Sequence, residues 1–336
     1  MGDAVTIKDV ARRANVSVAT VSRALNGHVN VAEAVRRRVV SVADELRYTP
    51  HHAARSLSSR RTNTVGVVLP DLHGEFFSEL MRGIDGVARE RGLHLLVSSY
   101  HGHPEEQVAA LGAMRGRVDG LLVMSPSVSN AGCLGEHLLS SLPSVLINTH
   151  ASALGARSLS VDNHGGAQTM VRHLIDCGYR RIALIAGPED NFEAHERQRG
   201  YLDALGEAGL ESQAWVIPGE FDEASGHRAG LQLVASPHRP DAVFAANDMM
   251  ALGCLFAMNQ SGVQVPDEIA LAGFDDIPLA RYVHPALTTM RVDIPELGAR
   301  AMRMLLDDAA APLQPPFPLP TELIVRASTS ARADAC

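Results

Sequence analysis

The sequence predicts an α/β protein: two doubly wound parallel sheets preceded by a small all-helical module. Three observations carry this. From residue 64 onward, short apolar runs alternate with helical periods in two successive series. Residues 6 to 26 hold two short helical periods split by a tight turn. Charge divides at the same boundary: residues 1 to 61 carry eleven Lys and Arg against five acids, a balance of +6, so the −8 of the whole chain leaves −14 on the remainder. A basic module ahead of an acidic body suits a chain whose one end binds phosphates and whose other end does not.

Composition bounds the rest. With 336 residues, 46% hydrophobic and 20% charged, the chain is an ordinary globular protein long enough for two or three domains. No apolar run approaches the ~18 residues that would span a bilayer. Met1 to Val5 leads straight into polar helix without an apolar core segment, so no signal peptide is expected and a cytoplasmic location follows. Cys133, Cys177, Cys254 and Cys336 are scattered without C-x-x-C or clustered His spacing, so the expectation is neither a disulfide framework nor a metal site.

In the first helical period Ile7, Val10, Ala11 and Ala14 share a face. Val16 and Ser17 break the pattern, and Val21, Ala24 and Leu25 resume it, which makes a helix-turn-helix. Ser17 is a good N-cap for the second helix, placing Val18, Ala19, Thr20, Ser22 and Arg23 on its first turns, where short side chains let a helix enter a major groove. Val18 and Ala19 are then expected at base edges and Arg23 at a guanine, with Thr6, Ser17, Thr20, Ser22 and Asn26 holding phosphates. Asn26 and Gly27 end that helix. Val31 to Tyr48 gives a third, with Val35, Val39, Val42, Ala43 and Leu46 on one face. Ala32 cannot cap it, so Asn30 or water is expected to serve its start.

Pro50 stops the third helix and can start another, while Ser58, Ser59, Thr62 and Asn63 read as linker. The first αβ series then has strands near 64–70, 94–99, 119–124 and 144–148 and helices near 74–92, 104–115 and 133–140. The second has strands near 181–186, 214–218, 241–246 and 268–273 and helices near 163–178, 192–209, 222–236 and 247–261. Pro312, Pro315, Pro316, Pro318 and Pro320 interrupt any helix before a last strand near 323–326. In parallel sheets ligands sit beyond the carboxyl ends of the strands. Asn247-Asp248 and Asp275-Asp276 each follow an apolar strand and are expected to face a cleft; Asp71 and Asn148, at the ends of the first and fourth strands, are further candidates. Phe76, Phe77 and Phe221 can supply apolar walls for the flat C–H faces of a sugar, with plain core packing as the alternative for each.

The order of helix-turn-helix, Tyr48-Thr49-Pro50, Ala54-Arg55-Ser56-Leu57 and a strand from Thr64 resembles the lactose-repressor/galactose-repressor (LacI/GalR) family of bacterial transcription regulators. Arg-Ile-Ala-Leu-Ile-Ala-Gly-Pro at 181–188, Ala-Asn-Asp-Met-Met-Ala-Leu-Gly at 246–253 and Ala-Gly-Phe-Asp-Asp at 272–276 resemble family motifs too, so the likeness covers essentially the whole chain. It implies a headpiece over 1–49, a hinge helix and linker over 50–63, and an effector-binding and dimerisation domain of periplasmic-binding-protein type over 64–336. Within that domain one subdomain spans about 64–161 and 292–321 and the other about 162–291 and 322–330, with crossings near 161, 291 and 322. The resemblance places Arg55 and Leu57 on a hinge helix in the DNA minor groove, Leu57 wedging between central base steps. It gives Arg197 as an arginine that reaches the ligand; the alternative for Arg197 and Asp275 is a structural ion pair.

The implied function is a homodimeric regulator on a near-palindromic double-stranded DNA operator: a repressor of carbohydrate catabolism or uptake genes, associated with the bacterial nucleoid, that a sugar or sugar derivative releases. The alternative within the family is a corepressor-type regulator activated by a nucleobase or a partner protein, and outside it a ligand carrier that binds no DNA. An enzyme is not expected, since G-x-S-x-G, P-loop, post-strand G-x-G-x-x-G and metal spacings are all missing. No cofactor, membrane or metal is expected, and without a terminal heptad repeat the expected assembly is a dimer. Three positions depart from the family pattern: Ala32 where Ser is common, His51 where Asn is usual after the proline, and Met124-Ser125 where some relatives carry polar groups.

Overall fold

The computed structural model describes residues 5–26, 30–48, 61–129, 134–135, 138, 142–149, 157–307 and 318–330. The chain divides into two compact units, Met1–Thr62 and Asn63–Cys336. Arg55, Leu57 and most of the helix expected near 133–140 lie outside the described residues.

The first unit is three helices, α1 (Ile7–Ala14), α2 (Val18–Leu25) and α3 (Glu33–Glu45). Their apolar faces meet in one small core of Val10, Ala11, Ala14, Val21, Ala24, Val39, Val42 and Ala43. The turn between α1 and α2 is made by Asn15 in the left-handed region (φ 51°), a conformation asparagine tolerates better than most residues. Ser17 caps α2 as its sequence position predicts, its Oγ accepting from Thr20 N at 3.1 Å. α3 starts at Ala32 with no side-chain cap, and it is shorter at both ends than the 31–48 read from the sequence.

The second unit is built on two sheets. The first runs in the order β2-β1-β3-β4-β5, all parallel, from β1 (Thr64–Leu69), β2 (His94–Ser99), β3 (Gly120–Met124), β4 (Ser144–Ile147) and β5 (Arg157–Leu159). The second runs β11-β10-β9-β8-β6-β7, from β6 (Ile182–Ile185), β7 (Trp215–Ile217), β8 (Ala242–Ala245), β9 (Ala270–Asp275), β10 (Thr288–Arg291) and β11 (Glu322–Ile324). Only β11 there is antiparallel, on the outer edge of β10. Central strands such as Thr64–Leu69 and Ala242–Ala245 are buried almost throughout, which is why they appear in the sequence as continuous apolar runs without alternation.

Among the strands and α-helices described, three were not read from the sequence: β5, β10 and the helix Ile294–Leu306. That helix packs on the first sheet's helix Glu75–Glu90 rather than near its chain neighbours in the second sheet. Two glycines permit the approach. A Cβ on Gly83 would lie 1.9 Å from Pro295 O, and one on Gly298 would lie 2.3 Å from Leu80 O. The chain returns to the second sheet through Leu319, which bridges Val161, and then enters β11.

Candidate functional site

In the first unit the outward face of α2 is what a groove would meet. Ser17, Val18, Ala19, Arg23 and Asn26 are exposed and Thr20 and Ser22 are half-buried, while Val21 and Ala24 face inward. Val18 is 41% exposed and stands beside the exposed Ala19. Ser17 Oγ lies 2.8 Å from Thr20 Oγ1, and Asn26 Nδ2 donates to Ser22 Oγ at 3.4 Å, so the small polar groups of this face are already linked along the helix. At the start of α1, Thr6 donates to Asp9 Oδ2 from both its backbone N (3.0 Å) and its hydroxyl (2.7 Å). These bonds hold the Asp9 carboxyl below its ordinary range, with the Arg12 guanidinium adding a smaller pull. Arg12 and Arg13 lie in the last turn of α1, pairing with Asp9 at 2.7 Å and Glu45 at 3.7 Å.

In the second unit a cavity of about 490 Å³ opens where the carboxyl ends of the two sheets face each other. That volume suits a small molecule of one to two rings. Seven residues singled out from the sequence line it: Asp71, Phe76, Phe77, Arg197, Phe221, Asn247 and Asp275. Asn148 does not. Its side chain is buried behind the wall, and Nδ2 donates to Glu193 Oε1 at 2.8 Å. Asp248 and Asp276, expected to face the cleft beside Asn247 and Asp275, also turn away from it. Neighbouring residues at a strand end project to opposite sides, so only one of each pair reaches the cavity. Asp248 accepts from Thr289 Oγ1 (2.6 Å) and Ile277 N (2.9 Å), and Asp276 pairs with Arg291 (2.7 Å) and Arg326 (2.5 Å).

Arg197 organises the floor. Its Nε donates to Asn163 Oδ1 at 2.8 Å, and Nη1 donates to Ala246 O. Its Nη2 lies 3.2 Å from Asp275 Oδ1 and 3.7 Å from Glu193 Oε1, and Cζ stands 3.9 Å above the Phe274 ring. The structural ion pair, considered from the sequence as the alternative to a ligand contact, is present, and it is part of the cavity wall. Asp275 Oδ1 is close to the guanidinium yet receives no aligned hydrogen bond, and with Asn148 Oδ1 it is a buried side-chain acceptor without a partner among the described residues. Burial pushes the Asp275 carboxyl up to about 6, against the lowering pull of Arg197. Burial likewise raises Glu193 to about 7, opposed by Arg197 and assisted by the charge of Asp275. Asp248 lies well above the usual carboxylate range through burial and the nearby Asp275 charge.

Backbone strain gathers at the same place. Phe221 (φ 63°), Asp275 (φ 115°), Asp276 (φ 55°) and Asn148 (φ 45°) all have positive φ, which costs an L residue roughly 1–3 kcal/mol when the conformation is sparsely populated. The strain aims Phe221 across Gly187, where a Cβ would lie 2.3 Å from the ring's Cζ. Asn247 caps the helix Asp248–Gln260 through Oδ1 to Met250 N (2.9 Å), and its Nδ2 donates to Phe221 O (2.9 Å), so most of its amide serves the wall itself. Phe76 and Phe77 meet edge to face at 5.5 Å.

Sequence reading missed the groups that join the two sides. Asp190 accepts from Ser127 Oγ (2.5 Å), Ser129 N (2.9 Å) and Ser129 Oγ (2.6 Å); slight burial acts the other way, but these bonds hold its carboxyl low. His73 Nε2 lies 3.2 Å from Glu223 Oε2, and Leu279 N donates to Glu75 Oε2 at 2.8 Å. Glu193 had one available signal, its position four residues before Arg197 on the helix Phe192–Glu207. The others are partnerships over 61 to 204 residues of chain and leave no local trace. Among the described residues no group of His, Cys, Asp and Glu could hold a metal ion, and no helix is long and apolar enough to cross a membrane.

Comparison with known proteins agrees with both units. Residues 6–51 match a model described as bacterial regulatory proteins, lacI family, and residues 171–329 match a periplasmic binding protein-like domain. The chain is 35% identical over 305 residues to the HTH-type transcriptional repressor PurR of Klebsiella pneumoniae (strain 342), covering 90% of this chain and 89% of that one. Among solved structures it resembles the lac repressor dimer bound to operator and the anti-inducer ONPF, with TM-score 0.88 and 28% identity over 98% of this chain and 100% of that one. It also resembles a transcriptional regulator CelR–cellobiose complex, with TM-score 0.69 and 32% identity over 96% of this chain and 99% of that one.

Proposed function

This chain belongs to the lacI family of bacterial regulatory proteins, DNA-binding transcriptional regulators, and on that premise we propose that it is a homodimeric repressor which a sugar or sugar derivative releases from its operator. The observation that carries the ligand half of this reading is the cavity between the facing carboxyl ends of the two sheets, walled by Phe76, Phe77 and Phe221 and floored by Arg197 and Asp275. A ligand that touches both walls favours the closed arrangement, because only closure lets it contact both. The relative whose structure contains cellobiose supports a carbohydrate class. In the DNA half, α2 presents Val18, Ala19 and Arg23 to the major groove, and Thr6, Ser17, Thr20, Ser22 and Asn26 hold the phosphates.

Dimerisation is supported by Leu279 and Tyr282, exposed large side chains one turn apart on the body, and by the dimeric lac repressor relative. The protein works without catalysis or a cofactor, in the cytoplasm, on nucleoid DNA. One observation favours a second reading: phenylalanines from both sides of the cavity, Phe76 and Phe77 on the first sheet's helix and Phe221 on the second-sheet side, suit a flat nucleobase, and the PurR relatives give it weight.

The test is titration of full-length protein against genomic operator fragments, with and without candidate sugars and nucleobases. A sugar that weakens operator binding supports the proposal. A nucleobase that tightens it reverses both the ligand class and the sign, and sequence-independent DNA binding removes the regulator role.

A further inference from the structure

The charge on the cavity wall is lopsided. Asp71, Asp190, Glu193, Glu220, Asp222 and Asp275 line it, against Arg197 as the one permanent cation among the lining residues. Arg197 has little left to offer an anion. Two of its nitrogens donate to Asn163 and Ala246, and the third already faces both Asp275 and Glu193. The histidines of the wall are His73 and His101; His73 faces Glu223, and His101 lies 3.4 Å from Ser99 Oγ.

Most helix starts at the cavity, the other common attractor of anions, are also committed. Three helices begin at the cavity, and the caps Asn191, Asp222 and Asn247 already accept from Ala194 N, Ser225 N and Met250 N. Each carries an acid in its first turn: Glu193, Glu223 and Asp248. A fourth helix, Glu75–Glu90, starts at Gly74 without a side-chain cap, and Glu75 occupies its first turn. What the site does hold in reserve is an acceptor. Asp275 Oδ1 is buried on a residue of the wall and lies 3.2 Å from Arg197 Nη2 without an aligned hydrogen bond, next to a second carboxyl group, Glu193.

The geometry points to an uncharged, hydroxyl-rich ligand whose hydroxyl protons go to Asp275 and to Glu193 as a second, specificity-determining acceptor, with phosphorylated and carboxylated forms of the same ring refused. This rests on the reading of the cavity as a sugar site. An anion would have to be buried beside two carboxyl groups and around one guanidinium whose donors are already committed, whereas a hydroxyl donor meets an acceptor oxygen that no aligned hydrogen bond fills.

The test uses full-length protein and isothermal titration. Glucose, galactose, ribose and cellobiose are each compared with their phosphorylated and carboxylated forms, and inorganic phosphate is titrated alone. The expected result is that a neutral sugar binds at least about a hundredfold tighter than its anionic forms, and that phosphate shows no saturable heat in the wild type. The variant carrying Glu193→Gln and Asp275→Asn frees the Arg197 charge and is expected to gain phosphate binding. An anionic form that binds as tightly as its neutral parent overturns the proposal while leaving the sugar reading in place. A nucleobase that binds when no sugar does, or no binding by any sugar, overturns the sugar reading and this inference with it. A folded double variant that gains no phosphate affinity shows that the two carboxylates are not what refuses anions. If that variant does not fold, the wild-type pairs decide.

Discussion

Asn148 donates from Nδ2 to Glu193 Oε1 at 2.8 Å, and this bond joins the end of β4 in the first sheet to the first turn of a helix on the second. It ties the two sides of the cleft together. Both partners are buried, so removing one leaves the other without its bond in a place where water is scarce.

Asn148→Ala is therefore expected to cost about 1–3 kcal/mol of unfolding free energy, the penalty for a buried group that loses its partner. Asn148→Asp is expected to cost more, because a second carboxylate then faces Glu193. Denaturant unfolding of the two variants checks both. An Asn148→Ala protein as stable as the wild type removes this bond from the forces that join the two sides of the cleft.

The Glu193 carboxyl sets a pH dependence with a definite sign. Its pKa is raised on folding, from 4.5 to about 7, so between those values the folded state holds the proton more tightly than the unfolded one. Stability then falls as pH rises through that window, the reverse of an ordinary salt-bridged carboxylate. Asp275, raised from 3.8 to about 6, acts in the same direction, while His173, lowered from 6.5 by burial, acts in the opposite one. The contribution of Glu193 is isolated by difference: the melting temperature of Glu193→Gln is expected to fall less than that of the wild type between pH 5 and about 7. Parallel curves would mean that Glu193 stays ionised in the folded protein throughout.

What could be read from the sequence was what is local. Ser17 and the inward faces of α1 and α2 are fixed by neighbours within four residues, and the helix-turn-helix followed from them. The buried strands announced themselves as apolar runs. The helix Ile294–Leu306 had its signal too, in Leu297, Ala301, Met302 and Leu305 at helical spacing, but it stands beside the prolines at 312–320, which read as breakers of any helix before the last strand. A proline in the first turn starts a helix as readily as an internal one stops it, and here Asp293 caps that start through Glu296 N at 3.1 Å. At the site, strand ends located Asp71, Asn247 and Asp275, but pattern alone could not say which of two adjacent acids faces the cavity. Asp190 and Glu193 gain their roles from Ser127, Ser129 and Asn148, partners on the far side of the cleft.

On the DNA side, Arg23 and Ser17 are expected to lose different things when truncated: Arg23 base preference, Ser17 headpiece stability along with a phosphate contact. Arg23 is exposed on α2. Arg23→Ala is expected to cost about 1–3 kcal/mol of specific operator affinity and to relax the preference at one base pair per half-site, with stability unchanged. Ser17→Ala removes the cap bond to Thr20 N, and about 1 kcal/mol of headpiece stability is expected to go with it. Competition titrations on operator and scrambled DNA, together with thermal melts, tell the two apart. Equal loss on both DNAs for Arg23→Ala would make it a phosphate contact instead of a base reader.

The response to ligand is expected to depend on Asp275. Its Oδ1 is the unpartnered acceptor on the wall, it is positioned by a backbone held at φ 115°, and its charge lies 3.2 Å from Arg197. Asn at this position keeps the shape while replacing one carboxylate oxygen by a donor and leaving Arg197 less neutralised, so a ligand hydroxyl aimed at that oxygen meets a donor or a weaker acceptor. Asp275→Asn is expected to weaken effector binding at least tenfold, about 1.4 kcal/mol, and so to give a repressor that stays on its operator at effector concentrations that release the wild type. The check is an operator titration of both proteins across effector concentration, with circular dichroism to confirm that the variant is folded. A folded Asp275→Asn protein released at the wild-type concentration would take Asp275 out of the binding site and leave it as the counter-ion of Arg197.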